Sequence, residues 1–162
     1  MQLEDELTVD RPFMPGYGIQ PAENGLGLFP WATVQKQMES ARNYWVASVR
    51  PDGRPHTAPV WGIWVDNTFY FGTGRESRKA RNLTANPAIV VHLESGDDVI
   101  MIEGQVEIIT DAALLARLDG VYQAKYNVNL VGDHPVMAVR PRTAYAWLEK
   151  DFPGSATRWR IA

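Results

Sequence analysis

The sequence contains no cysteine. This absence excludes disulfide bonds, thiolate metal sites and a cysteine nucleophile, and it suits a reducing compartment. Histidine is scarce, and His56, His92 and His134 lie too far apart in the sequence for a metal-ligand pattern, so we expect no bound metal. No apolar run approaches the roughly 20 residues of a membrane helix, and no signal peptide is recognisable. We therefore expect a cytoplasmic protein.

The chain also lacks a strong charge of either sign. Its 16 Lys and Arg residues face 19 Asp and Glu residues, which gives a formal net charge of −3. No global basic field attracts nucleic acid, so any bound anion requires a local cluster of cations. The length of 162 residues and the 45% hydrophobic content are typical of one globular domain with its own core.

Glycine and proline interrupt the first 30 residues and break any regular period there. We therefore divide the chain into an N-terminal arm, residues 1–30, and a domain, residues 31–162. An arm of this length needs tertiary partners to be ordered, and a second subunit is one candidate.

The domain alternates β-prone runs with turn signals. Asp52-Gly53 predicts a hairpin, and Asp66-Asn67 predicts the next turn. Strands are predicted at residues 44–49, 56–65, 68–73, 88–93, 99–109, 136–140 and 143–148, and helices at 31–41, 75–85 and 111–125. So many strands in short-turn order would leave exposed edges in an open layer, which favours a closed antiparallel barrel with flanking helices.

The most distinctive segment runs from Thr73 to Leu83. Four cations and one anion lie between residues 75 and 81, where a strand ends and a helix begins. Helix N-termini attract phosphates and carboxylates, and a serine there can cap the helix or contact the anion. A solvated basic helix face with a capping serine explains the charges equally well. The charge pattern alone leaves both interpretations open.

Several segments, taken in order, resemble the pyridoxamine-phosphate-oxidase-like FMN-binding split barrels. They are residues 46–61, 69–71, 77–83 with 86–87, 99–109 and 151–159. The chain is most similar to the flavin/deazaflavin oxidoreductase branch, many members of which use coenzyme F420. The C-terminal pattern with which true pyridoxamine-phosphate oxidases bind their substrate is missing, which argues against vitamin B6 as the substrate.

This resemblance implies a mainly β fold, a six-stranded antiparallel split barrel that forms a homodimer with the cofactor at the subunit interface. It implies that the phosphate or acidic tail is bound by Thr73, Ser77, Arg78 and Lys79. The residues implied beside the cofactor ring are Thr57, Ala58, Pro59, Val60 and Trp61. Arg75 and Arg81 add cations that suit the long acidic tail of F420, whereas FMN ends at one phosphate.

The resulting hypothesis is an F420-dependent oxidoreductase that moves a hydride between the deazaflavin and a small unsaturated or planar organic molecule. The cofactor carries the redox chemistry, so no catalytic residue is assigned. Tyr122 and Tyr126 are candidates for protonating the acceptor. The alternatives are an FMN-dependent reductase or oxidase of the same fold, a carrier that binds the cofactor without turnover, and a structural dimer with a vacant site.

Overall fold

The computed structural model describes residues 6–162, and the part of the predicted arm formed by residues 1–5 lies outside this range. The described chain forms nine strands and four α-helices. In chain order they are β1 Leu7–Asp10, α1 Trp31–Ser40, β2 Tyr44–Val49, β3 Pro55–Val60, β4 Ile63–Val65, β5 Thr68–Gly72, α2 Arg78–Ala85, β6 Ala88–His92, β7 Asp98–Ile108, α3 Ala112–Tyr126, β8 Val136–Leu148, α4 Phe152–Ser155 and β9 Thr157–Ile161.

All strand pairs are antiparallel, in the order β1-β9-β8-β7-β6-β2-β3, and β4 joins through β5, which pairs with β8. The predicted mainly β antiparallel split barrel with flanking helices is therefore confirmed. The count of six strands that the resemblance implied is wrong. Two differences account for the extra strands: the segment predicted as one strand, 56–65, is divided into β3 and β4, and β1 and β9 form an additional pair.

The strand β8 corresponds to two predicted strands, 136–140 and 143–148, with residues 141–142 between them. The structure has one strand because a register shift opposite Gly104 accommodates the irregularity, with Pro141 facing Gly104 and Thr143 facing Glu103. A side chain at Gly104 would approach the Arg140 carbonyl oxygen to 2.3 Å, so only glycine fits here. Before this bulge β8 pairs with β5, and after it β8 pairs with β9.

The C-terminal tail, for which no strand was predicted, forms the strand β9. Trp159 is fully buried, whereas Arg158 and Arg160 point the other way and contact Asp10 of β1. Arg158 donates two hydrogen bonds of 2.8 Å to the Asp10 carboxylate. Hydrogen bonding from Arg158 is the main reason why the pKa of Asp10 is lowered. The first strand of the arm is thus held by the end of its own chain.

Two hydrophobic clusters fill the structure. The larger one contains Val46, Phe69 and Trp159, and α2 contributes Ala80 and Leu83 to it. The smaller one lies beneath α3 and joins Ile63 and Tyr70 to Leu118, Tyr122, Tyr126 and Leu130. None of the helices formed by residues 6–162 combines the length and apolar character that a bilayer crossing requires.

Candidate functional site

The first part of the site is the connection from β5 to α2. Ser77 caps the helix, because its Oγ accepts a hydrogen bond of 3.2 Å from the Ala80 N–H, and it also lies 2.9 Å from Thr73 Oγ1. The helix begins at Arg78, three residues later than predicted. Two hydroxyl groups therefore meet at a helix N-terminus, where free N–H groups and the positive end of the helix dipole favour an anion.

The cations around this N-terminus differ in their partners. Arg81 pairs with Glu76 at 2.6 Å, and both side chains are exposed. Arg75, Arg78 and Lys79 form no ion pair with any residue between 6 and 162. The chain itself thus offsets the charge of Arg81 but leaves three neighbouring positive charges without a counter-ion.

A buried polar group lies beneath α2. Asn82 is fully buried and donates a hydrogen bond of 3.0 Å to Ser48 Oγ of β2, and His56 is the β3 residue paired with Ser48. Within the described chain, the buried atoms Asn82 Oδ1 and His56 Nδ1 have no hydrogen-bond partner. A third such atom, Trp159 Nε1, lies in the main core. Buried polar atoms normally have partners, so the two atoms beneath α2 are candidate contacts for a bound group.

The second part of the site is β3 itself. In the described chain β3 pairs with β2 alone, so it is an edge strand, a position in which a proline such as Pro59 is tolerated. Ala58 and Val60 face inward with His56, while Thr57 and Pro59 are exposed on the other side.

The free edge of β3 follows from its hydrogen-bond pattern. Arg50 N–H donates to the Arg54 carbonyl. Because hydrogen-bonded pairs alternate along an antiparallel ladder, the hydrogen-bonded residue pairs of β2 and β3 are Ser48–His56, Val46–Ala58 and Tyr44–Val60. The backbone groups of Thr57 therefore point away from β2, toward the open edge, where they are available to a ligand.

The third part of the site is the break between β3 and β4. Trp61 is 39% exposed, and its ring is parallel to that of Tyr126, with the centroids 4.7 Å apart. The Arg42 guanidinium lies 5.2 Å from the Trp61 centroid, at a cation–π distance. The predicted continuous strand would have put Ile63 on the same face as Trp61, but the break turns Ile63 into the cluster beneath α3.

The backbone N–H and C=O of Gly62 are hydrogen-bonded by two side chains of α3. Tyr126 OH accepts from the Gly62 N–H at 3.1 Å and lies 2.7 Å and 2.9 Å from the carbonyl oxygens of Arg42 and Gly62. Lys125 Nζ donates to Tyr44 OH at 2.7 Å and to the Gly62 carbonyl at 3.1 Å. The Tyr126 hydroxyl is thus fully engaged by backbone, so it is not a free proton donor for an acceptor.

The electrostatics of these groups follow from burial. Burial, followed by the nearby charge of Arg42, lowers the pKa of Lys125 to about 8. Burial also raises the pKa of Tyr122 and Tyr126, which keeps both phenols protonated at neutral pH. At the other end of β3, burial and then the charges of Arg50, Lys79 and Arg78 lower the pKa of His56.

The structure brings the sequence-predicted residues together in two groups. Thr73, Ser77, Arg78 and Lys79 surround the start of α2, and Thr57 to Trp61 run along the open strand beside it. Trp61, which directly follows β3, lies five positions after His56, so these two residues are about 17 Å apart along the extended chain. Sequence reasoning missed His56, Ser48 and Asn82, whose only local signals were inward alternation along a strand or a position on a helix. It also missed Arg42, which lies in the connection between α1 and β2 and gave no signal.

The sequence and the fold of this chain have counterparts among known proteins. The family model for pyridoxamine 5'-phosphate oxidase matches residues 31–148, so the chain belongs to the pyridoxamine 5'-phosphate oxidase family. The pyridoxine/pyridoxamine 5'-phosphate oxidase of Gluconobacter oxydans is 44% identical over 90 residues, which are 54% of this chain and 43% of that protein.

A second curated relative, the pyridoxine/pyridoxamine 5'-phosphate oxidase of Azorhizobium caulinodans, is 30% identical over 119 residues, 72% of this chain and 54% of that protein. The chain thus spans about half the length of the curated relatives that it matches.

Solved structures agree on the fold. A conserved hypothetical protein from Mycobacterium tuberculosis has a TM-score of 0.65 and 23% identity, covering 74% of this chain and 85% of its own. A structure described as an F420 reductase has a TM-score of 0.55 and 26% identity, covering 68% of this chain and 94% of its own. The General Stress Protein 26 of Bacillus anthracis has a TM-score of 0.59 and 23% identity, covering 71% of this chain and 91% of its own.

Proposed function

We propose that this chain binds coenzyme F420 and transfers a hydride between it and a small unsaturated or planar organic molecule. The observation that carries the proposal is the group of three unpaired cations, Arg75, Arg78 and Lys79, beside the hydroxyls at the start of α2. A phosphate or acidic tail supplies the missing negative charge. The similarity to a structure described as an F420 reductase supports the choice of cofactor.

The phosphate fits the groups that the chain presents. Ser77 Oγ already accepts from the Ala80 N–H, which leaves the Thr73–Ser77 hydroxyl pair with a proton to donate. Arg78 and Lys79 add charge-assisted hydrogen bonds, which are stronger than neutral ones. The orphaned buried atoms of His56 and Asn82 border the same region.

The ring fits the open edge of β3. Backbone groups of Thr57 are free at this edge, and the exposed indole of Trp61 offers a flat apolar surface at its end. When bound, the cofactor supplies the hydride chemistry. The residues of the chain bind and orient it, and none of them is assigned as a catalytic acid.

A second copy of the chain covers the outer face of β2, β3 and β6 in this proposal and completes the cofactor site. That face carries Trp45, Val49, Pro59 and Val90, all exposed or half-exposed. Trp45 lies parallel to His92, with the ring centroids 6.5 Å apart. Such an apolar surface on a sheet is typical of a subunit interface. Light scattering on the purified protein should therefore report a dimer.

One observation favours the alternative cofactor FMN. Because Glu76 neutralises Arg81, the surplus of positive charge is smaller than the sequence indicated. A single phosphate needs fewer cations than a long acidic tail does. An FMN-dependent reductase or oxidase is therefore the second candidate.

The test is a titration of the purified protein with F420 and with FMN side by side, followed by fluorescence. We expect saturable binding that is tighter for F420. Lys79→Ala should weaken it by about 1–3 kcal/mol, which is about 5- to 150-fold in Kd. Lys150→Ala, which changes an exposed lysine after β8, should leave the Kd unchanged.

Each other outcome has a distinct meaning. Tighter binding of FMN would select the second candidate. Saturable binding of F420 without reduction of any acceptor in a broad screen would indicate a carrier. Binding of neither cofactor would refute the proposal.

A further inference from the structure

His56 lies close enough to Arg78 and Lys79 at the start of α2 for their charges to lower its pKa, but no contact described so far gives it a role. Its side chain lies on the inner side of β3, opposite Ser48, and its Nδ1 atom is shielded from solvent without a partner in residues 6–162. An imidazole nitrogen in this position requires a partner, because an unsatisfied buried polar atom destabilises the folded state. A bound anion beside it would provide an acceptor.

The charges that face His56 all have the same sign. Arg50 approaches from the end of β2, and Arg78 and Lys79 approach from α2, while the other polar neighbours, Ser48 and Asn82, are neutral. No carboxylate of the described chain contributes to the pKa of His56. Without an anion, burial and these cations therefore favour the neutral imidazole.

We propose that His56 is a further ligand of the bound phosphate and that it takes up a proton when the anion binds. The inference rests on the anion site of the proposed function. An anion placed among Arg50, Arg78 and Lys79 reverses the sign of the local potential and accepts a hydrogen bond from the imidazolium. The same group is thus neutral in the free protein and charged in the complex.

The direction of the pH dependence follows from linkage. Because the pKa of His56 is higher in the complex than in the free protein, binding takes up a proton between these two values. Anion affinity is greatest below the pKa of the free protein and decreases, by at most about tenfold per pH unit, as the pH rises through the pKa of the complex. His56→Gln removes this decrease.

The first experiment uses sulfate, whose charge stays constant across the pH range of histidine titration. The Cε1–H signals of the three histidines are followed by NMR in sodium sulfate and in sodium chloride of equal ionic strength, which controls for screening. His56→Gln identifies the signal of His56. If that variant does not fold, His92→Gln and His134→Gln identify it by elimination.

We expect sulfate to raise the pKa of His56 by about one unit or more and to leave those of His92 and His134 in place. Equal titration of His56 in both salts would overturn the inference. A parallel shift of all three histidines would overturn it as well, since it indicates a general salt effect.

The second experiment separates this inference from the proposed function. F420 and FMN are titrated into wild type and His56→Gln across the same pH range, with calorimetry in two buffers of different ionisation enthalpy to count the protons taken up. The phosphate of FMN itself titrates near pH 6, so only the difference between the two proteins is interpreted. We expect uptake of up to one proton that His56→Gln abolishes.

The two proposals can fail separately. Cofactor binding with identical proton uptake in both proteins would refute the role of His56 and leave the proposed function intact. A sulfate-induced shift of His56 without binding of either cofactor would support an anion ligand and refute the proposed function.

Discussion

The two ends of β3 are constructed in opposite ways. At the Trp61–Gly62 end, the buried polar groups find partners within the chain: Tyr126 and Lys125 hold the backbone of Gly62, and Tyr44 holds Lys125. At the His56 end, buried polar atoms and three nearby cations lack partners in the described chain. The protein itself preorganises one end, and under the proposed function a ligand completes the other.

This difference determines how substitutions should act at each end. A group with partners in the chain contributes to folding, so its loss lowers the free energy of unfolding. A group that lacks such partners contributes little to folding, so its loss appears in ligand affinity. Substitutions at the Gly62 end of β3 should therefore lower stability, whereas substitutions at the His56 end should lower ligand affinity.

The largest effect is expected for Gly62→Ala. A Cβ atom at this position would lie 2.3 Å from two ring carbons of Phe69 and 2.8 Å from the Tyr70 carbonyl oxygen, so the core must move. We expect a loss of about 3 kcal/mol in the free energy of unfolding, measured by urea denaturation. Gly96→Ala, where the added atom meets nothing within 4 Å, is the matched control. Equal stability of the two variants would contradict a tightly packed break.

Tyr126→Phe should have a smaller effect on stability. The variant retains the ring that stacks on Trp61 but leaves the buried Gly62 N–H without its acceptor. We expect a loss of about 1–3 kcal/mol in urea denaturation. Tyr122→Phe, whose hydroxyl makes no hydrogen bond within residues 6–162, should cost less. If Tyr122→Phe were the more destabilising of the two, the role given to the Tyr126 hydroxyl would be wrong.

Lys125 should make stability depend on pH. Its pKa is about 8 in the folded protein and 10.5 for an unperturbed lysine, so the unfolded chain binds more protons between these two pH values. The contribution of Lys125 to stability therefore rises with pH from 8 toward 10.5 and is unfavourable below pH 8. The slope should remain well below the limit of about 1.4 kcal/mol per pH unit, because water screens the half-exposed amine.

Urea denaturation at several pH values checks this expectation. Wild type should gain stability relative to Lys125→Met as the pH rises through this window, whereas Lys150→Met should follow wild type. If the difference in the free energy of unfolding between wild type and Lys125→Met did not change with pH, the pKa of Lys125 would not be lowered in the folded protein.

The smallest effect is expected for Arg81→Ala. Since Glu76 already pairs with Arg81, its removal should change cofactor Kd by about twofold, much less than Lys79→Ala. Glu76→Gln should release Arg81 and tighten binding slightly. If Arg81→Ala weakened cofactor binding as much as Lys79→Ala, the ligand would have to displace Glu76 from Arg81. All four cations of the segment would then contribute to cofactor binding.

Local signals account for the parts of the fold that the sequence predicted well. The Asp52-Gly53 turn marks the hairpin of β2 and β3, and Asp111 caps α3 through a hydrogen bond of 2.7 Å to Leu114 N–H. The β1–β9 pair could not be predicted, because its residues are about 150 positions apart and the tail looks polar. The division of β3 from β4 depends on contacts of Gly62 with Tyr126, which lies 64 positions further along the chain and gives no local signal.

The candidate site shows the same limit. The cluster of cations from Arg75 to Arg81 is visible in the sequence because its members are adjacent. Which of them remain unpaired depends on side-chain geometry, as the Arg81–Glu76 contact shows. The placement of His56 beneath α2 depends on how the helix packs on two strands, and no local pattern encodes that packing.

The prolines of β3 have a consequence for association between chains. Residues 55, 57 and 59 direct their backbone groups to the open edge, and two of these three are prolines without an N–H. Thr57 therefore presents the one amide donor among them. A free strand edge normally invites a neighbouring strand to extend the sheet and seed aggregation, but this edge lacks the donors for a regular ladder. The site can stay open to a small molecule while resisting unwanted sheet growth.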